Sequence, residues 1–397
     1  MQQYRLDQKE PALITLIVMS SFASMGAVIF TPALPAIADY FKVSDGHSQL
    51  TVTLFLVGYA LGQLIYGPLS NRFGRKKAFY IGIMVATLGS LISIFSEPLN
   101  SFGFLILGRM LEALGSSAGL VISFTIINDH YFPEQARRII SYMTLAFAVV
   151  PGVALFIGGL LISHFHWISC FYFLLIYGLL LAIPVSRLME TAKKIDLRAL
   201  YFKDILINYS IAFKNKTLRY ISLFFGLSAM CIYGYAASAP FIAIHDLGIS
   251  PEKFGIIGLI PFIGTGLGSL VSAHLSKTLS AKTVIKMGWA IEAIASLFFA
   301  ILFYLGIISF LILIIAGFVF MFGGCLVMSN CTSIATSKLD DKANASAVMN
   351  FINVGMSVFG TFLLAITPGD AVFKLPGIFI LALVCMFGVW QFIKRIP

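Results

Sequence analysis

"GPLSNRFGRKK", residues 67–77, sets Arg72, Arg75, Lys76 and Lys77 within six positions of a chain in which only 11% of residues are charged. The runs on either side are apolar and each is long enough to cross a bilayer as a helix, so the charge cluster reads as a short loop at a membrane surface. The composition agrees: 59% of the 397 residues are hydrophobic, 37 of them Phe, and the mean hydropathy is +0.95. A soluble domain of this length could not bury so much apolar surface. One polytopic all-α membrane domain is expected.

Windows of about 19 residues place helices near 11–37, 47–70, 78–96, 101–127, 138–163, 166–187, 218–244, 254–276, 283–306, 308–334, 343–366 and 372–393. The connection "TSIATSKLDDKANAS" (332–346) is the least distinct, and merging helices there would leave ten or eleven instead of twelve. Alternating the loops sides the basic residues unevenly. With both termini cytoplasmic, 23 of the 27 Lys and Arg fall on that side. Only Lys42, Lys253 and Lys374 face the other, and Arg109 lies within a helix. Basic residues are retained on the cytoplasmic face, which gives the orientation.

The long polar connection 187–219 divides the chain into a first six-helix bundle (1–187), a cytoplasmic linker (188–217) and a second bundle (218–397). Its mixture of Leu, Ile, Phe and Lys suits an amphipathic helix on the inner membrane surface. The halves echo each other. "PALPAIADYFKVSDGHSQLT" (32–51) and "APFIAIHDLGISPEKFGIIG" (239–258) share a proline, an acid and a polar turn at an offset near 206 residues, as duplicated six-helix units would.

Several function classes drop out. The net charge of +10 has no soluble basic domain to carry it, so nucleic acid is not an expected partner. Cys170, Cys231, Cys325, Cys331 and Cys385 all lie in apolar runs without CxxC spacing, and read as reduced packing residues. No metal cluster, cofactor motif or nucleophile constellation is present, and "GTGLGS" (264–269) sits mid-helix without the preceding strand a nucleotide loop needs. Small residues that let helices approach account for it. An enzyme is not expected. The polar start leads into an apolar segment too long for a cleaved signal, so the first helix is expected to persist.

The ionisable residues deep in predicted spans are Arg109, Glu112 and Glu292, each costing roughly 2.5–3.5 kcal/mol at a helix centre. Arg109 and Glu112, three apart, share a helix face. They are either a local ion pair that lets the helix insert or a proton-exchanging carboxyl tuned by an arginine. Glu292, on a peripheral ninth helix, reads as structural, paired with Lys286 or neutral. Phe30, Tyr233, Tyr235, Asn330, Asn350 and Asn353 are expected along a solute cavity, and the uncharged polar positions Gln49, Gln63, Asn330, Asn350 and Asn353 are candidates either for its lining or for interhelical hydrogen bonds.

These residues carry a resemblance to the major facilitator superfamily, in its Bcr/CflA branch of drug:proton antiporters. "GPLSNRFGRKK" is similar to the superfamily's loop 2–3 signature, G-x-L-[AS]-D-R-x-G-R-[KR], with Gly67, Arg72, Gly74, Arg75 and Lys76 in place and Asn71 where the signature has Asp. "GRMLEALGSSAGLVI" (108–122) resembles the fourth-helix motif around Arg109. "VVPGVALFIGG" (149–159) resembles the fifth-helix antiporter motif in Pro151, Gly158 and Gly159, with Leu155 in place of its second proline. "SAPFIAIHDLGISPEKFG" (238–255) resembles the branch's seventh-to-eighth connection. The branch's helix-one Asp is Val28 here. The resemblance implies twelve helices in two pseudo-symmetric bundles, and a loop that latches the halves when the cytoplasmic side is closed. With Val28 neutral, Glu112 is the expected proton carrier, assisted by Arg109.

The expected function is proton-coupled export of amphipathic drugs or small metabolites by a monomer in the bacterial inner membrane, without a metal or cofactor. Two alternatives remain. One is a dedicated exporter or importer of one metabolite, such as a siderophore; the other is a non-transporting membrane sensor or scaffold.

Overall fold

The computed structural model describes residues 10–192, 195–337 and 342–395. The basic residues Arg5, Lys9, Lys193, Lys194 and Lys338, used above for orientation, lie outside the described residues, as do the two ends of the expected bundles. The spanning helices run α1 Leu13–Phe41, α2 Asp45–Phe73, α3 Arg75–Phe95, α4 Phe102–His130, α5 Pro133–His164 and α6 Ser169–Ser186. After the linker come α7 Lys216–Asp246, α8 Pro251–Leu275, α9 Ala281–Tyr304, α10 Phe310–Ser337, α11 Lys342–Ile366 and α12 Ala371–Ile393. Among the described residues eleven are long and apolar enough to cross a bilayer, and the twelfth, α5, contains the apolar stretch Val149–His164.

Several helices begin earlier than the hydropathy windows indicate, because capping chemistry starts a helix before its apolar stretch does. Pro133 opens α5 and Pro251 opens α8, each at the first turn, where a missing N–H costs nothing. Ser44 accepts from His47 N ahead of α2, and Ser250 accepts from Lys253 N ahead of α8, the same cap at the same place in each half. The helices before these caps are interrupted in matching fashion. α1 passes through a 3₁₀ turn at Thr31–Ala33, and α7 widens into a π-turn at Phe241–Asp246 directly after Pro240. Proline removes a backbone donor and clashes with the preceding turn, and the altered turns accommodate it.

Packing repeats with the caps. In the first half α3 packs on α4 and α6, α2 on α4, and α1 on α5; in the second, α9 packs on α10 and α12, α8 on α10, and α7 on α11. The two bundles meet along α2 with α11 and along α5 with α8, pairs that interchange under the same six-helix shift. The result is a twelve-helix fold of two pseudo-symmetric bundles. Outward-facing side chains such as Leu88, Ile176, Leu180, Ile294 and Val384 stay exposed, the apolar exterior of a protein whose solvent is lipid.

The linker carries a helix, Phe202–Lys214, which packs against α11 and α7. Asp196 N donates to Asn71 O at 3.0 Å and Tyr209 Oη donates to Leu64 O at 3.0 Å. The linker thus ties the end of α2 to the second half, while Leu206 and Ile211 remain exposed.

Candidate functional site

A cavity of about 1230 Å³ lies between the bundles. Both halves supply its wall: Phe55 and Tyr59 from α2, Phe124 from α4, Tyr233 from α7, Met328 from α10 and Asn350 from α11 are among the lining residues. The mouth is on the face of the 67–77 loop, where Asn71, Asn128 and the linker residues Asp196 and Arg198 border it. At the other end the halves touch. Gln49 Nε2 donates to Ala237 O at 3.3 Å, and a Cβ on Gly46 would collide with the Ala365 carbonyl. The cavity is a one-ended chamber.

Tyr233, Asn350 and Asn353 line it, but three residues expected there are packed elsewhere. Phe30 has no exposed surface; its ring lies 3.8 Å beneath the Arg109 guanidinium carbon. Tyr235 turns away from the chamber and donates to Leu313 O of α10 at 3.3 Å. Asn330 sits between α10 and α8, donating to Ser272 Oγ at 3.0 Å and to Leu326 O at 2.9 Å. In each case the side chain's hydrogen bond or ring contact is satisfied inside a bundle, where burying it otherwise unpaired would be costly. Gln63, one of the polar candidates, lines the chamber, as do Tyr59, Phe124, Asn128, Thr265 and Ser269, none of which is among the expected cavity residues. Only their phase along the helix puts them there.

Arg109 and Glu112 form a salt bridge of 2.8 Å at 0% and 1% exposure. Arg109 Nη2 donates to Gly26 O of α1 at 2.8 Å, and the guanidinium is sandwiched between Phe30 at 3.8 Å and Phe55 at 4.3 Å, a geometry that adds cation–π attraction. Gly26 is needed beside them, because a Cβ there would press on the Glu112 carboxylate and the Phe55 ring. Neither Arg109 nor Glu112 reaches the chamber surface; Phe55, which lines the chamber, stands between them and the solute space. Among the described residues Glu112 Oε1 and Arg109 Nε have no hydrogen-bond partner.

At the mouth, Gly74 has φ of +90°, a conformation glycine adopts without strain. It lets Glu190 approach and accept from Arg75 N at 2.9 Å and Lys76 N at 3.1 Å, so a carboxylate caps the positive end of α3. Arg75 reaches Asp129 at 2.9 Å, Ser70 O at 2.9 Å and Asn71 Oδ1 at 2.8 Å; Lys76 Nζ donates to Ser186 O, and Arg72 lies over Phe73. Asp129, Ser70, Asn71, Ser186 and Phe73 belong to the first half, and Glu190 to the start of the linker. Gly67 has open space around it.

On α5, Pro151 lines the chamber. Gly158 lies against the Ile29 carbonyl of α1, and Gly159 against Pro251 O and Gly255 of α8, so that a Cβ at either would clash. Leu155, where the antiporter motif has proline, fills the space left by Gly258 of α8. Glu292 is fully buried and points into the second bundle toward Ser228 of α7. Lys286, expected as its partner, instead lies 5.8 Å from the Trp390 ring centroid.

The family model of the Major Facilitator Superfamily matches residues 16–363. The chain is 27% identical over 72% of its length, and 71% of the other's, to a bicyclomycin resistance protein homolog of Haemophilus influenzae. It is 25% identical over 88% of its length, and 87% of the other's, to multidrug resistance protein D of Escherichia coli. Among solved structures, the xylose transporter XylE of Escherichia coli in a partially occluded inward open conformation superposes with a TM-score of 0.73 at 12% identity, covering 97% of both chains.

Proposed function

Because the chain belongs to the major facilitator superfamily and is therefore a membrane transporter, we propose that it exports amphipathic drugs or small metabolites by alternating access, in exchange for protons. The observation that carries this reading is a chamber walled by both bundles, open at one end and sealed at the other. Rocking the halves about α2–α11 and α5–α8 would open the seal and close the mouth around the same solute site. A wall of Phe, Tyr and Met with a few Asn and Thr suits an apolar body bearing polar groups. Two relatives with resistance names support an efflux direction.

In this reading the open mouth is cytoplasmic, both termini lie on that side of a bacterial inner membrane, and the transporter works as a monomer divided at 187/188 and 217/218. Glu112 takes up and releases the coupling proton. Arg109 holds the carboxylate when the proton leaves, and movement of Phe55 admits water to the pair. The loop residues Arg72 and Arg75 exchange part of their bonds for partners in the second half when the mouth closes. Purified protein in liposomes with an imposed pH gradient tests this. Gradient-driven accumulation of a fluorescent amphipathic cation is the expected result. Selective flux of one metabolite would make it a dedicated carrier, and no flux of any solute would leave a sensor or scaffold.

A further inference from the structure

The second bundle holds a buried carboxyl that the coupling scheme above does not use. Glu292 on α9 has no exposed surface. One carboxyl oxygen accepts from Ser228 Oγ; the other, Oε2, has no hydrogen-bond partner among the described residues. Ser296, one turn further along α9 and also fully buried, is likewise without a hydroxyl partner. The titratable side chains facing Glu292 are thiols: Cys231 on α7, Cys325 and Cys331 on α10. α12 meets α9 through aromatic rings, Phe387 and Trp390 around Trp289, and Lys286 of α9 itself is turned toward Trp390. No cation among the described residues contributes to its electrostatic surroundings. This is the opposite of Glu112, which has Arg109. A carboxyl kept without a counterion in the membrane interior is costly when charged, so its surroundings suit a group that carries a proton rather than a permanent ion pair.

Its position adds a route. The Glu292 side chain lies against the backbone of Gly323 and Gly324 on α10. A Cβ on Gly324 would stand 3.2 Å from Glu292 Oε1 and 3.4 Å from Ile232 Cδ1. Gly324 and Ile232 both form part of the chamber wall. The backbone of Gly324 and the Ile232 side chain stand between the carboxyl and the solute space, and a side chain at position 324 would cover it further.

We propose that Glu292 is a second proton-binding site, exchanging its proton with the chamber across Gly324. The proposal takes the chamber as the transport route, as above, but its test needs no transport. Full-length protein in detergent is treated with dicyclohexylcarbodiimide. The acid O–H adds across one N=C bond, giving an O-acylisourea that rearranges to a stable N-acylurea, with no oxidant and no leaving group. Peptide mass spectrometry then locates the adduct. The expected result is modification of Glu292 that falls at least about tenfold from acid to alkaline pH as the proton leaves. Gly324→Ala should slow it several-fold and Ile232→Ala should speed it. Glu292→Gln should remove the adduct at this position. Absence of an adduct at acid pH, a yield independent of pH, or a rate unchanged in both wall variants would each overturn the proposal. Labelling that behaves as expected alongside absent proton-driven flux would sink the antiport reading and leave this site standing.

Discussion

A guanidinium held between two phenyl rings and bonded to one carboxylate and the Gly26 carbonyl offsets much of the cost of burying Arg109. Removing one member of such a pair leaves the other uncompensated, which typically costs about 3–5 kcal/mol. Arg109→Ala is therefore expected to lower the thermal midpoint of the detergent-solubilised protein far more than Glu112→Gln, in which an amide oxygen can still accept from Arg109. If Glu112 carries the coupling proton, Glu112→Gln should bind solute and exchange it down a gradient while losing pH-driven accumulation. The double variant should regain stability and stay uncoupled. Recovery of gradient-driven accumulation in the double variant would reduce the pair to an insertion device. Arg75 belongs to the same scale: with Asp129, Ser70 and Asn71 as its partners, Arg75→Ala together with Arg72→Ala should slow turnover by roughly three- to tenfold, about 0.6–1.4 kcal/mol. Unchanged solute flux per molecule would show that these arginines serve orientation alone.

Among the elements, α5 helps hold the halves together through α8, as α2 does through α11. Its Gly159 faces Pro251 O and Gly255 of α8 so closely that an added Cβ would lie 2.6 Å from that carbonyl. Gly159→Ala should overpack the seal by about 1–3 kcal/mol and shift the population toward opening there. A cysteine replacing Gln49, buried where α2 meets α7, reports it. In a chain whose exposed Cys385 is replaced by Ser, its reaction with an impermeant thiol reagent should become several-fold faster in the Gly159→Ala background. No change in rate would mean that α5 and α8 do not govern the seal.

For the whole molecule, the chamber's one open end coincides with the face that carries the basic loop and the linker. Orientation in the membrane therefore decides which compartment the described state serves. In intact cells a cysteine at Lys42 should react with an impermeant maleimide, and one at Lys76 only after permeabilisation. The reverse pattern would turn the chamber outward and undo the export scheme.

Helix number, helix order and the internal repeat were legible in the linear chain, because hydropathy over about 20 residues and the spacing of prolines, caps and charges are local properties. The Ser44 and Ser250 caps stand 206 positions apart in the folded protein, as the echo between the two segments requires. Facing was not legible. Residues two apart on a helix point about 200° from one another, so Tyr233 borders the chamber while Tyr235 reaches Leu313 on the opposite side of α7. Which direction is inward depends on how α7 is rotated against α10, α11 and α12. The same holds for Phe30, turned beneath Arg109, for Asn330, satisfied between α8 and α10, and for Glu292, brought to the back of the chamber wall by a pair of glycines on a different helix. The sequence by itself determined what spans the membrane; only tertiary packing decided which polar groups meet the solute, because rotation and contact between helices are set by partners remote in the chain.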